Sequence, residues 1–155
     1  VGRDLAIMFR ISQWKVYDYD AKLARNPAEM EQWLAPLVDA GVDIIHASDR
    51  RFWEPAFEGS DLNLAGWAKK VTGLPTVTVG SIGLSRDLMA DFVEGTSHPE
   101  IERFQDLERR FDRGDFDLVA VGRALLSDPE WLLKVRGGNF ADLKPYSLAT
   151  KEELY

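Results

Sequence analysis

The sequence predicts an α/β fold, the C-terminal half, (β/α)4, of a TIM-type (β/α)8 barrel. Three observations lead there. Four continuous apolar runs alternate with amphipathic helical segments, the signature of parallel strands joined by right-handed crossovers. The last two runs, Thr76-Val77-Thr78-Val79 and Leu118-Val119-Ala120-Val121, stop at glycines followed by polar residues, Gly80-Ser81-Ile82-Gly83 and Gly122-Arg123. Finally, 155 residues suit one domain with a real core, whereas a whole barrel needs roughly 200 or more. A single half-barrel domain over residues 1–155 is therefore expected, with residues 139–155 as a C-terminal arm.

The strands read as Leu5 to Ser12, Asp43 to Ser48, Thr76 to Gly80 and Leu118 to Gly122, continuous enough to be buried on both faces. The first long helix opens with Asn26 as N-cap, Pro27 in the first turn and Glu29 behind it. Met30, Trp33, Leu34, Leu37 and Val38 then form one apolar stripe. Pro36 should kink this helix, and Gly41 should end it. A second helix covers Leu64 to Val71 and stops before Gly73 and Pro75. Asp87 to Val93 reads as a third, followed by a break over Glu94 to Ser97. Pro99 opens a fourth, with Ile101, Phe104, Leu107 and Phe111 expected inward. Asp128-Pro129-Glu130 caps a last helix carrying Trp131, Leu132 and Val135, ended by Gly137-Gly138. The stretch from Asn139 to Tyr155 has no strong period. Beginning at Val1-Gly2-Arg3-Asp4, without methionine, the chain reads as a cut from a longer protein.

Composition narrows the function. A net charge of −7 argues against nucleic acid as a main partner, because phosphate backbones need a basic face. There are no cysteines, which removes disulfides and thiolate chemistry. His46 and His98 are the two imidazoles, too few for an expected zinc or proton-shuttle site, and no metal site is expected. No apolar run reaches the roughly 18 residues of a membrane span and no signal peptide opens the chain. The expected location is cytoplasmic.

In a (β/α) barrel the chemistry lies at the C-terminal ends of the strands. That rule selects Arg10 with Ser12, His46 with Ser48, the loop from Arg50 to Phe57, Gly80 to Gly83, and Gly122 with Arg123. Arg10 stands in an apolar strand, where an unpaired guanidinium is costly, so it must meet an anion or acceptor. It is either a structural partner of a neighbouring strand or a cation beside a ligand. Gly80-Ser81-Ile82-Gly83 and Gly122-Arg123 lack the Walker and Rossmann spacings. Each alone could merely turn the chain. Together, on successive strands, they could hold a phosphate with backbone N–H groups and one guanidinium. Phe52, Trp53 and Phe57 either line a pocket or plug the core. Glu54 with Glu58, and Asp18 with Asp20, read as solvated loop acids, and His46 as hydrogen-bonded within the barrel.

Four stretches resemble the C-terminal half of the old yellow enzyme family of NADH:flavin oxidoreductases. They are Met8-Phe9-Arg10-Ile11-Ser12, Arg51-Phe52-Trp53-Glu54-Pro55-Ala56-Phe57, Thr78-Val79-Gly80-Ser81-Ile82-Gly83, and Asp117 to Pro129 with its Gly122-Arg123 and Asp128-Pro129. The resemblance implies FMN at the top of the barrel and NAD(P)H as co-substrate. Arg10 would lie beside flavin N1 and the C2 carbonyl. Gly80, Ser81, Ile82, Gly83, Gly122 and Arg123 would hold the FMN phosphate, and Trp53 would face the substrate, a small molecule such as an activated alkene. The family's substrate-anchoring pair and proton donor come from the missing four strands, so no catalytic residue is expected here. The missing half-barrel or self-association should complete the fold, and this half alone should be inactive. The alternatives are a non-catalytic self-associating half-barrel and another phosphate-binding (β/α) barrel enzyme.

Overall fold

The computed structural model describes residues 4–15 and 17–152. Val1-Gly2-Arg3 and the last three residues of the expected arm lie outside them. In chain order the elements are β1 (Met8–Ile11), α1 (Pro27–Asp39), β2 (Ile44–Ser48), α2 (Leu64–Thr72), β3 (Thr76–Val79), α3 (Leu88–Glu94), β4 (Thr96–Ser97), α4 (Ile101–Asp112), β5 (Leu118–Val119), α5 (Arg123–Ser127), α6 (Trp131–Arg136) and β6 (Tyr146–Ser147). The sheet runs β1-β2-β3-β5, all parallel, in the order of the chain. This arrangement is compatible with part of a (β/α) barrel.

Local chemistry explains the elements. Asn26 caps α1, its side-chain oxygen accepting from Glu29 N at 3.0 Å, and Pro27 fills the first turn, which needs no N–H. Met30 and Leu34 turn fully inward. Pro36 lies within the helix, which runs on for one more turn. Asn63 caps α2 through Gly66 N and also donates to Thr78 Oγ1 at 3.0 Å, so one buried amide fixes the helix start against β3. Asp117 ties β5 to β3 by accepting from Thr76 N at 2.9 Å.

Two apolar clusters divide the molecule. One, with Ile11, Met30, Leu34, Ile45, Leu64 and Phe116, fills the space between the sheet and α1 and α2. The other, with Phe52, Ile82, Phe104, Trp131, Leu143 and Tyr146, lies under the later loops and α4 to α6.

Several expectations need correction. β1 is shorter than Leu5 to Ser12, because Asp43 intercepts the backbone of Ile7, whose N–H donates to Asp43 Oδ2 at 2.7 Å. It is not buried on both faces: Met8 and Phe9 are 49% and 41% exposed, and among the described residues β2 is its single strand neighbour. β5 stops at Val119, three residues before Gly122: its register with β3 ends at Thr78 opposite Val119, with Ala120 N still donating to Thr78 O at 2.9 Å. Ile101 and Phe111 face outward, as α4 presents Phe104, Leu107 and the buried Arg110 to the interior instead. The Asp128-Pro129-Glu130 stretch separates two short helices, with Asp128 closing α5. The break after α3 contains β4, which pairs antiparallel with β6 of the arm. The arm is therefore not a surface appendage, for Tyr146 is fully buried and Leu143 nearly so.

Candidate functional site at the strand ends

β1 and β2 run in register, Arg10 opposite His46. The Arg10 guanidinium reaches across to β2. Its Nη1 lies 2.8 Å from His46 Nε2, and Nη2 donates to Ser48 Oγ at 2.9 Å. Burial and the Arg10 charge both push the His46 pKa down. The imidazole is thus held neutral and accepts from Arg10. Both partners of Arg10 are neutral, and it has no carboxylate partner among the described residues, so its charge is uncompensated. Arg10 is also exposed, not sunk in the strand as its apolar neighbours imply. Ser12 turns away and donates to Trp14 O at 3.1 Å. Trp14 Nε1 in turn donates to Ser48 O at 3.1 Å.

The end of β3 is set by close approach. A Cβ on Gly80, which has φ 153°, would sit 2.6 Å from Asp49 O, so only glycine lets β3 pass the loop after β2. Ser81 takes a left-handed φ of 52°, unusual for a residue with a side chain. Its Oγ donates to Arg50 O and accepts from Arg123 Nη2, each at 3.1 Å. Ile82 belongs to the second core and also lines the space beside Ser81, Gly122 and Arg123, whereas Gly83 faces the second core. A Cβ on Gly83 would meet Trp131 Cζ2 at 2.9 Å and Phe104 Cζ at 3.0 Å.

Gly122 is exposed, with nothing within 4 Å of an added Cβ. Arg123 next to it is held on three sides. It pairs with Asp91, donates to Arg86 O at 3.0 Å and Ser81 Oγ, and lies over the Tyr146 ring at 5.6 Å. Burial lowers its pKa, partly opposed by Tyr146, Asp87 and Tyr19. Asp91 is fully buried, and its Oδ1 has no hydrogen-bond partner among the described residues.

Arg10 and Arg123 share a cavity of about 180 Å³ whose walls include Trp14, Ser48, Gly80 and Leu88. A neighbouring space of about 170 Å³ continues past Ser81 and Gly122 along Arg123. The structure thus gathers Arg10, Gly80, Ser81, Gly122 and Arg123 at one end of the sheet. It does not bring Trp53 there. The Trp53 ring lies under the Arg103 guanidinium at 3.9 Å and packs edge-on to Phe52. Phe52 and Phe57 are core residues. Glu54 is engaged by Arg51 at 3.0 Å, and Asp18 accepts from Asp20 N within its own turn.

Sequence reasoning missed Asp91, Asp87 and Tyr146. Asp87 was visible as a cap: it stands just before an apolar run, and its Oδ1 accepts from Met89 N and Ala90 N. Its Oδ2 then pairs with Arg51 at 2.9 Å and Arg50 at 3.3 Å. No sequence pattern marks Asp91 as the partner of Arg123.

No family model matches the chain. It is 32% identical over 152 residues to a protein named NADH oxidase from Thermoanaerobacter brockii. That match takes in 93% of this chain and 20% of the relative, so the chain spans about a fifth of that protein's length. The likeness is a distant one to part of an oxidoreductase. No helix among the described residues is long and apolar enough to cross a membrane.

Proposed function

We propose that the chain is the FMN-binding half of an NAD(P)H-dependent oxidoreductase of the old yellow enzyme type, with a (β/α)8 barrel completed by further strands. One observation carries this reading: Arg10 and Arg123 line one cavity at the C-terminal edge of a parallel sheet, with Arg50 in its wall as well. The distant similarity to a protein named NADH oxidase agrees with it.

The residues fit such a cofactor unevenly. At the Arg10 end an uncompensated cation faces open space, suited to the electron-rich edge of a flavin. Beside Arg123, the exposed Gly122 leaves room for a ligand and the guanidinium is the donor to a phosphate, while the Ser81 hydroxyl proton is already given to Arg50 O. There Asp91 already occupies part of Arg123, so a phosphate has to share or displace that carboxylate. FMN, when bound, supplies a ring that accepts and passes on hydride. The chain's own contribution is electrostatic. Arg10, held flat by His46 and Ser48, favours negative charge at the ring edge without needing to reorganise. No proton donor for the acceptor is assigned to these residues.

The open edges add a second element. Met8 and Phe9 on β1 and Leu118 on β5 are 41–50% exposed, which fits completion by another half-barrel on a longer chain or a second copy. Light scattering tests the latter: a monomer at high concentration removes self-association.

FMN fluorescence titration of the complete enzyme tests the main reading. A charged hydrogen bond is worth about 1.5–3 kcal/mol, so Arg123→Ala should weaken FMN binding about ten- to a hundredfold. Unchanged affinity removes Arg123 from the site.

A further inference from the structure

A smaller cavity of about 80 Å³ lies beside the strand-end cleft, between the loop after β1 and the loop after β2. It shares Trp14, Tyr19, Asp49 and Arg50 with that cleft. Its lining is polar and unsatisfied. Among the described residues, ten buried side-chain polar atoms lack a hydrogen-bond partner, and four belong to residues lining this cavity: Gln13 Nε2, Asp49 Oδ2, Arg50 Nε and Arg51 Nε. Gln13 is 7% exposed. Its Oε1 accepts from Ala24 N at 2.8 Å, which fixes the amide and leaves the NH2 as a pure donor. Arg50 Nε lies 3.3 Å from Asp87 Oδ2, close enough for an ion pair but not aligned for a hydrogen bond. Buried polar groups without partners are uncommon in folded proteins, so a cluster of them around one space points to a ligand.

The ligand's chemistry follows from what is missing. Three of the four atoms are donors. The fourth belongs to Asp49, whose pKa burial drives well above the usual carboxylate range, with Glu54 adding to the rise and the Leu64 N–H opposing it. A protonated Asp49 is also a donor. Lys22, Arg50 and Arg51 face the space against Glu54, with Asp87 behind the two arginines. The balance is cationic. The complement is a small acceptor-only anion, and a carboxylate offers two oxygens with about four lone-pair sites. A primary amide would turn its own NH2 against this lining.

We propose that this cavity is a subsite for the carboxylate of a short-chain acid whose hydrocarbon portion extends into the strand-end cleft. The binding itself does not depend on flavin.

Calorimetric titration of crotonate and crotonamide into the chain, at low salt, tests this. Crotonate should bind saturably, and crotonamide at least tenfold more weakly. Gln13→Glu keeps the acceptor for Ala24 N and places a like charge in the cavity, so it should cost crotonate at least tenfold. Arg51→Met should do the same. Equal binding of acid and amide, binding of neither, tighter binding of inorganic phosphate at the same site, or an unchanged crotonate affinity in folded Gln13→Glu each overturns the subsite. The acid–amide comparison on the unsubstituted chain decides the matter if a variant does not fold. Titrating FMN in parallel separates the two claims. Neither Gln13 nor Arg51 lines the cavity between Arg10 and Arg123, so FMN affinity should survive both substitutions. With FMN titrated into the complete enzyme, crotonate without FMN binding sinks only the flavin reading, and FMN without crotonate binding sinks only the subsite.

Discussion

Arg10 and Arg123 line one cavity, yet their surroundings are opposite. Arg10 is exposed and held by two neutral groups, His46 and Ser48. Arg123 is mostly buried and paired with Asp91, a carboxylate with no exposure at all. The first arrangement orients a guanidinium without cancelling its charge. The second cancels the charge and fixes the chain: Arg123 links α5 to α3, the loop after β3 and the arm. One arginine therefore keeps its charge free of any carboxylate among the described residues, while the other is tied into the scaffold. Residue type alone does not distinguish them; their partners do.

The sharpest way to break this contrast is through stability. Removing one member of a buried ion pair strands the other and costs about 3–5 kcal/mol. Asp91→Ala should lose that much in urea unfolding. Arg10→Met, at an exposed site with neutral partners, should cost less than about 1 kcal/mol, on the scale of surface substitutions. Similar losses in both variants would contradict the division of roles.

The loop that carries Ser81 sharpens the point. Gly83 packs against Trp131 and Phe104 with no room for a methyl group and has φ 70°. Gly83→Ala should lose about 1–3 kcal/mol from overpacking, read as a lower melting temperature, while Gly122→Ala, in open space, should lose less. A reversed order would mean that Gly83 rather than Gly122 lies at an accessible surface.

A smaller effect lies in the wall of the cavity that Arg10 and Arg123 line, at Asp49. A carboxyl that holds its proton more tightly folded than unfolded adds stability below the unfolded value of about 3.9. That stability is lost as pH rises through the raised folded value. Asp106, Asp117 and Asp128 behave oppositely. Burial raises each, but hydrogen bonds outweigh it, from Arg110 and Arg109 to Asp106, from Lys69 and the Thr76 N–H to Asp117, and from Lys134 and the Lys144 N–H to Asp128. Their contribution is present above about pH 4 and lost as pH falls through their lowered values. Asp49→Asn should therefore remove the loss of stability on the neutral side and leave the acid limb in place. Denaturation midpoints across pH 3–8 check this. A variant with an unchanged neutral side would show that Asp49 is ionised in the folded chain.

Much of this was legible in the sequence. The four parallel strands, the Asn26 cap of α1 and the gathering of Gly80, Gly122 and both arginines at one sheet end follow from local signals: apolar runs, an Asn-Pro helix start, glycines at strand ends. What was not legible depends on distance along the chain. Tyr146 is buried through a two-residue pairing with Thr96 and Ser97, some fifty positions away and too short to leave a period. Asp91 lies 32 residues from Arg123 on a helix of ordinary composition. The outward turn of Ile101 and Phe111 was hidden because both fit an apolar stripe; what turns inward instead is Arg110, buried by its bonds to Asp61 O, Trp53 O and Asp106. Trp53 looked like a pocket residue, yet it stacks on Arg103, a cation that its own loop does not announce.

The most direct test of the claim that Arg10 carries an uncancelled charge toward a flavin is the reduction potential of bound FMN in Arg10→Met, measured beside the unsubstituted enzyme. Methionine keeps much of the bulk and removes the charge. For a two-electron couple, about 30 mV corresponds to roughly 1.4 kcal/mol, so a fall of tens of millivolts is predicted, with slower reduction by NAD(P)H and little change in melting temperature. A folded, FMN-loaded variant with an unchanged potential would contradict the account.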